Sequence, residues 1–156
     1  MTDSLEKARA QGLRLVKFRP RSESELRRRL SEKGYGEAAI EQVIADFKKQ
    51  DFINDAKFAR YFASQRMMLK PMGRQGLQRE LKAKGVDFSL AASAVEEAAG
   101  ETSEVDRARE LARGRMGALS GLGKEASQRR LFGFLSRRGF SSDVIYRVVR
   151  EVAGAG

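Results

Sequence analysis

Arginine and lysine supply the most organised chemistry in this chain. They recur on segments whose leucines stand four apart: Arg27 and Arg28 in LRRRLSEKG, Arg74, Arg79, Lys82 and Lys84 in RQGLQRELKAKG, and Arg129, Arg130, Arg137 and Arg138 in RRLFGFLSRRG. Leucines at that spacing share one helix face, so the cations between them face outward or lie along its edge. Rows of this kind hold phosphate backbones without reading sequence, and the affinity falls as salt rises. They also serve as plain solvated faces, because long basic stems cover apolar surface. A net charge of +10 and a pI near 10.3 favour a polyanionic partner. The ten cations named above form the candidate basic track.

Other site chemistry is absent. The chain has no histidine and no cysteine, which removes the commonest general base, thiol nucleophiles, zinc thiolate sites and disulfides. Its carboxylates sit among basic residues at helical spacing; Glu25 beside Arg28 and Arg29, and Glu80 beside Lys84, read as ordinary surface pairs. The stretch ALSGLGKE has Ala118 where a Walker loop needs glycine and Glu125 where it needs Ser or Thr, and no strand precedes it. The expectation is a protein that is not an enzyme, with no cofactor and no metal. Phe52, Phe58, Tyr61, Phe62, Phe132, Phe134 and Phe140 are candidates for stacking on unpaired bases. Helical spacing assigns most of them to the core, and none is chosen.

The elements that must position the cations are helices. The composition is 41% hydrophobic and 33% charged with two prolines, and it is rich in Ala, Leu, Arg, Lys and Glu. No apolar run approaches the roughly 18 residues of a membrane span, and MTDSLEKARAQGLRLVKF lacks the apolar stretch of a signal peptide. A cytoplasmic protein is the simplest expectation.

One template recurs. Leu26, Leu30, Lys33, Gly34, Tyr35, Ile40 and Ile44 return 51 residues later as Leu77, Leu81, Lys84, Gly85, Val86, Ala91 and Val95. They return 105 residues later as Leu131, Leu135, Arg138, Gly139, Phe140, Ile145 and Val149. Each copy reads as a helix, a glycine cap, an apolar residue that closes the cap, and a second helix. ARYFASQRM and ARELARGRM supply a third helix ahead of a pair, and Ala8 and Arg9 begin a weaker version. Ser22 and Glu25 have capping-box spacing, and Asn54 or Asp55 can cap the helix that follows them. The spacing predicts helices over 4–18, 22–34, 37–50, 54–69, 74–85, 88–99, 103–117, 125–138 and 141–153. The expected fold is all-α, an elongated array of three tandem three-helix repeats over residues 1–51, 52–101 and 102–156.

Four phrases, in order, resemble one family. RPRSESELRRRLSEKG, DFINDAKFARYFASQR, GRQGLQRELKAKGV and RRLFGFLSRRGFSSDVI are similar to the successive motifs of RecX, the regulator of the recombinase RecA. The resemblance covers roughly residues 20–150; Asp51 stands where glycine is commoner, and Val86 replaces isoleucine. It implies three tandem three-helix repeats that bind the RecA filament on single-stranded DNA, lodge in its helical groove, and block its growth or promote its loss. ATP hydrolysis, strand exchange and the co-protease activity of the SOS response would fall. The resemblance also implies that direct DNA contact is open to such a protein, and a monomer is expected. The alternative is a DNA-binding helical protein with no RecA target and no sequence preference.

Overall fold

The computed structural model describes residues 2–154. Nine helices and no strand occur among them: α1 Thr2–Phe18, α2 Glu23–Glu32, α3 Glu37–Lys49, α4 Asp55–Leu69, α5 Arg74–Ala83, α6 Phe88–Ala99, α7 Glu104–Leu119, α8 Lys124–Arg137 and α9 Ser142–Ala153. The predicted helices agree with these to within two residues at every described boundary. None is long and apolar enough to cross a membrane.

Local chemistry explains where the helices start and stop. Ser22 accepts the Glu25 N–H at 3.1 Å, and the Glu25 carboxylate accepts the Ser22 N–H at 3.4 Å, the reciprocal arrangement that opens α2. The Asn54 side chain accepts the Lys57 N–H at 3.1 Å, so Asn54 caps α4 and Asp55 is freed for another task. Gly34, Gly85 and Gly139 all take left-handed backbone, at φ +91°, +80° and +83°. The apolar residue after each glycine donates its N–H back into the helix: Tyr35 to Leu30, Val86 to Leu81 and Phe140 to Leu135. Asp51 also has positive φ, +61°, which explains why glycine suits that place. Its carboxylate is held by Asn54 and Lys57.

The chain forms two compact units. The first runs to Phe62 and takes in Leu81–Ala94; the second comprises Ala63–Glu80 and the chain from Val95 onward. In the first, α1, α2 and α3 bury Ala8, Leu15, Leu26, Leu30, Ile40, Val43, Ile44, Phe47 and Ile53. Phe47 anchors that core, with the Phe52 ring edge-on at 5.5 Å. In the second, α7, α8 and α9 bury Ala108, Ala112, Leu119, Leu131, Phe134, Leu135, Phe140, Ile145, Val148 and Val149. The leucines that open and close each basic phrase are fully buried, as a four-residue spacing on one face requires.

Within the first unit, the start of α2 docks on the turn that ends α5. The Ser22 hydroxyl donates to the Lys84 carbonyl at 2.6 Å, and the Glu23 N–H donates to the Asp55 carboxylate at 2.8 Å. Within the second, the start of α5 docks in the same way on the turn that ends α8. Gly73 N–H donates to the Arg138 carbonyl at 2.7 Å, and Arg74 N–H donates to the Glu104 carboxylate at 2.9 Å. One joint is thus built twice, from different residues.

Candidate nucleic-acid and partner-binding surface

The structure sorts the candidate cations into those engaged internally and those left to solvent. In the first unit, Arg27 is engaged. Its guanidinium donates to Glu41 at 2.7 and 3.1 Å and to Glu23 at 3.2 Å. The Glu41 hydrogen bond, opposed by burial and aided by Glu23, raises its pKa above the ordinary arginine value. Arg28 is exposed and lies 3.9 Å from Glu32. Lys84 is half-buried, 3.9 Å from Glu25 and over the Phe62 ring at 5.9 Å. Lys82 is exposed, with no partner among the described residues.

In the second unit, Arg74 pairs with Glu96 at 2.6 Å and Glu104 at 3.1 Å. The Glu96 hydrogen bond is the main reason that its pKa is raised. Arg138 lies 4.9 Å from the Phe134 ring, which Arg115 also meets at 4.8 Å, and donates to the Pro71 carbonyl at 2.8 Å. Burial, and then the Arg115 charge, lower its pKa. Arg79, Arg129, Arg130 and Arg137 are exposed and unpaired among the described residues. Of the ten candidates, Lys82 and these four are the ones available to a polyanion. Arg27, Arg74 and Arg138 are held by the fold.

Two expected surface pairs are not what the spacing suggested. Glu25 is 3% exposed and meets Arg19 at 2.9 Å and Lys84 at 3.9 Å; neither Arg28 nor Arg29 is its partner. Burial pushes its pKa up, but the Arg19 hydrogen bond, the Lys84 charge and the Ser22 N–H outweigh burial, and the pKa lies below the ordinary value. Glu80 meets Arg66 at 2.8 Å and not Lys84. Both pairs reach across elements, which helical spacing along one segment cannot register.

Further positive charge is spent on structure. Arg21 donates to the Leu15 carbonyl at 2.9 Å, and Arg107 donates to the Ala99 carbonyl at 2.8 Å. Each satisfies the C-terminal end of a helix. Both residues are buried.

The second unit also carries a notch of about 570 Å³ between α8 and α9. Lys124, Arg129, Phe132, Tyr146 and Arg150 line it, and no carboxylate does. The Phe132 and Tyr146 rings lie 5.1 Å apart, inclined at 56°. Of these residues only Arg129 belongs to the expected basic track. Tyr146 was missed because it stands on the strongly amphipathic α9, where an aromatic residue reads as core. Among the described residues no group of three or more His, Cys, Asp or Glu is placed to hold a metal ion.

Nine helices among the described residues, a repeated inter-helix joint and a helix-borne set of free cations define an all-helical tandem-repeat protein. Comparison gives the family. Three domain models match in order: the first three-helix domain of RecX over residues 8–47, the second over 54–95 and the third over 102–149. The chain is 37% identical over 137 residues to the regulatory protein RecX of Amycolatopsis mediterranei, covering 88% of this chain and 78% of that one. It is 36% identical over 149 residues to the RecX of Streptomyces coelicolor, covering 96% and 79%. Crystal structures share the fold: RecX from Lactobacillus salivarius superposes with a TM-score of 0.80 at 22% identity, covering 99% of this chain and all of that one. A second RecX structure gives 0.84 at 21% identity, covering 96% and 74%. The chain belongs to the RecX family, with three tandem three-helix domains. Its relatives are named regulatory proteins.

Proposed function

We propose that this protein is a negative regulator of RecA. It binds the RecA filament on single-stranded DNA, in the filament's helical groove, and suppresses filament extension, ATP hydrolysis, strand exchange and co-protease activity. It acts without a cofactor and as a monomer in the cytoplasm. Its repeats span 1–51, 52–101 and 102–156. The observation that carries the reading is the set of exposed, unpaired cations on α5 and α8 in a chain of the RecX family. Lys82, Arg79, Arg129, Arg130 and Arg137 offer charge to DNA phosphates or to acidic protein without breaking internal ion pairs. Arg27, Arg28, Arg74, Lys84 and Arg138, expected to share that role, contribute less because the fold already engages them. Contacting more than one subunit of a polymer raises affinity through effective concentration, which suits a repeat protein.

The test is RecA ATP hydrolysis on single-stranded DNA, with RecA from the same source, as this protein is titrated in. Inhibition well below one molecule per RecA subunit means capping or disassembly of filaments. Inhibition only near stoichiometry means groove occupancy. Salt-sensitive DNA binding without inhibition overturns the RecA reading and leaves a DNA-binding protein with no RecA target.

A further inference from the structure

Tyr146 is 60% exposed although it sits on the helix that supplies Ile145, Val148 and Val149 to the core. One helical turn on, Arg150 shares its face, and both open onto the notch beside α8. Across the notch, Phe132 supports the tyrosine ring, and Arg129 lies close to one turn before Phe132. Lys124, Arg129 and Arg150 have no ion-pair partner among the described residues. The nearby Glu151 carboxylate is already taken by Arg109 at 2.7 Å and Arg147 at 3.4 Å. The notch therefore combines an open aromatic platform with three uncommitted cations and no opposing carboxylate. Its volume of about 570 Å³ lies within the roughly 300–1,000 Å³ of small-ligand sites.

We propose that this notch binds one nucleotide of an unpaired DNA strand, with the base stacked on Tyr146 and the flanking phosphates held by Arg129, Arg150 and Lys124. A cationic rim alone would hold any polyanion. An exposed ring beside it adds energy only for a ligand that brings a flat π-face next to its negative charge, which is the composition of a single-stranded nucleotide. A paired base keeps its faces inside the stack and cannot use the platform. This assignment rests on the functional reading above only in naming DNA as the polyanion. Its test contains no RecA, so the two readings fail separately.

The experiment is fluorescence anisotropy of the full chain with a labelled oligo(dT), and with an equal-length oligomer whose central residues are abasic, at several salt concentrations. Tyr146→Leu is expected to weaken oligo(dT) binding by about fivefold or more and to leave the abasic oligomer unchanged, whereas Tyr146→Phe keeps both affinities. Arg150→Gln is expected to weaken both oligomers alike and to lower the slope of log affinity against log salt by about 0.7. The chain has no tryptophan, and its three tyrosines are Tyr35, Tyr61 and Tyr146. With Tyr35→Phe and Tyr61→Phe combined, Tyr146 emission reports the site directly, and oligo(dT) is expected to quench it. Equal losses on both oligomers for Tyr146→Leu, no loss on either, or unquenched Tyr146 emission in a saturated complex would each overturn the proposal.

Discussion

The Ser22 hydroxyl donates a 2.6 Å hydrogen bond to the main-chain carbonyl of Lys84, 62 positions further along the chain. The same hydroxyl accepts the Glu25 N–H, so one side chain both starts α2 and fastens it to a later turn. In the second unit the Gly73 N–H plays the fastening part toward Arg138. The glycine after each carbonyl is where the approach is tightest. A Cβ at Gly85 would collide with the Ser24 side chain, and one at Gly139 with the backbone of Gly76. At Gly34, the corresponding cap of the first repeat, a Cβ meets nothing within 4 Å.

That contrast makes a ranking. Gly34→Ala carries only the cost of a left-handed alanine, about 1 kcal/mol. Gly139→Ala adds a clash with backbone that has no room to yield, for a total of about 3 kcal/mol or more. Gly85→Ala falls between, because the Ser24 side chain can turn. Urea midpoints of the three variants check the order; equal losses would mean that the joint bears little of the stability.

Asp55 separates a hydrogen bond from a charge. Burial raises its pKa against the opposing Glu23 N–H bond. Folding therefore favours the protonated form, and stability declines as pH rises through the raised pKa. Asp55→Asn keeps an acceptor for Glu23 and removes the titration. It is expected to gain on the parent as pH rises above the ordinary aspartate pKa of about 3.9. Asp55→Ala orphans the Glu23 N–H and is expected to cost about 1–2 kcal/mol at neutral pH. Thermal melts from that pKa up to neutral pH check both.

Glu25 behaves in the opposite sense. Its folded pKa is depressed, so its contribution is present above the ordinary glutamate pKa of about 4.3 and is lost as pH falls through the folded value. Glu25→Gln is expected to cost about 1–3 kcal/mol at pH 7, and the difference from the parent should vanish in acid. A constant difference across the acid range would show that Glu25 acts by shape alone.

The sorting of cations predicts two kinds of loss. Arg130→Gln and Arg137→Gln are expected to leave melting unchanged, with each lowering the salt slope of single-stranded DNA binding by about 0.7 for a lost phosphate contact. Arg27→Gln is expected to keep the slope and lose about 0.5–1 kcal/mol of stability, because its partners are Glu23 and Glu41. Salt titrations beside melting curves distinguish the two.

Periodicity along the chain determined the helices, the glycine caps and the buried leucines, because each depends on residues within a turn or two of one another. Leu26 and Leu30 declare one face, and Gly34 declares where the helix ends, whatever lies elsewhere. Tertiary structure alone decided which cations are free. Arg27 and Arg130 each adjoin the first leucine of their phrase, Leu26 and Leu131, yet Glu41 reaches Arg27 from a neighbouring helix and nothing reaches Arg130 among the described residues. It also decided that Ser22 meets Lys84, that Asp55 serves α2 and not its own helix, and that Tyr146 faces solvent beside Phe132. These are contacts between segments distant in sequence. Their partners are chosen by how the buried faces align, and that alignment leaves no mark in local spacing.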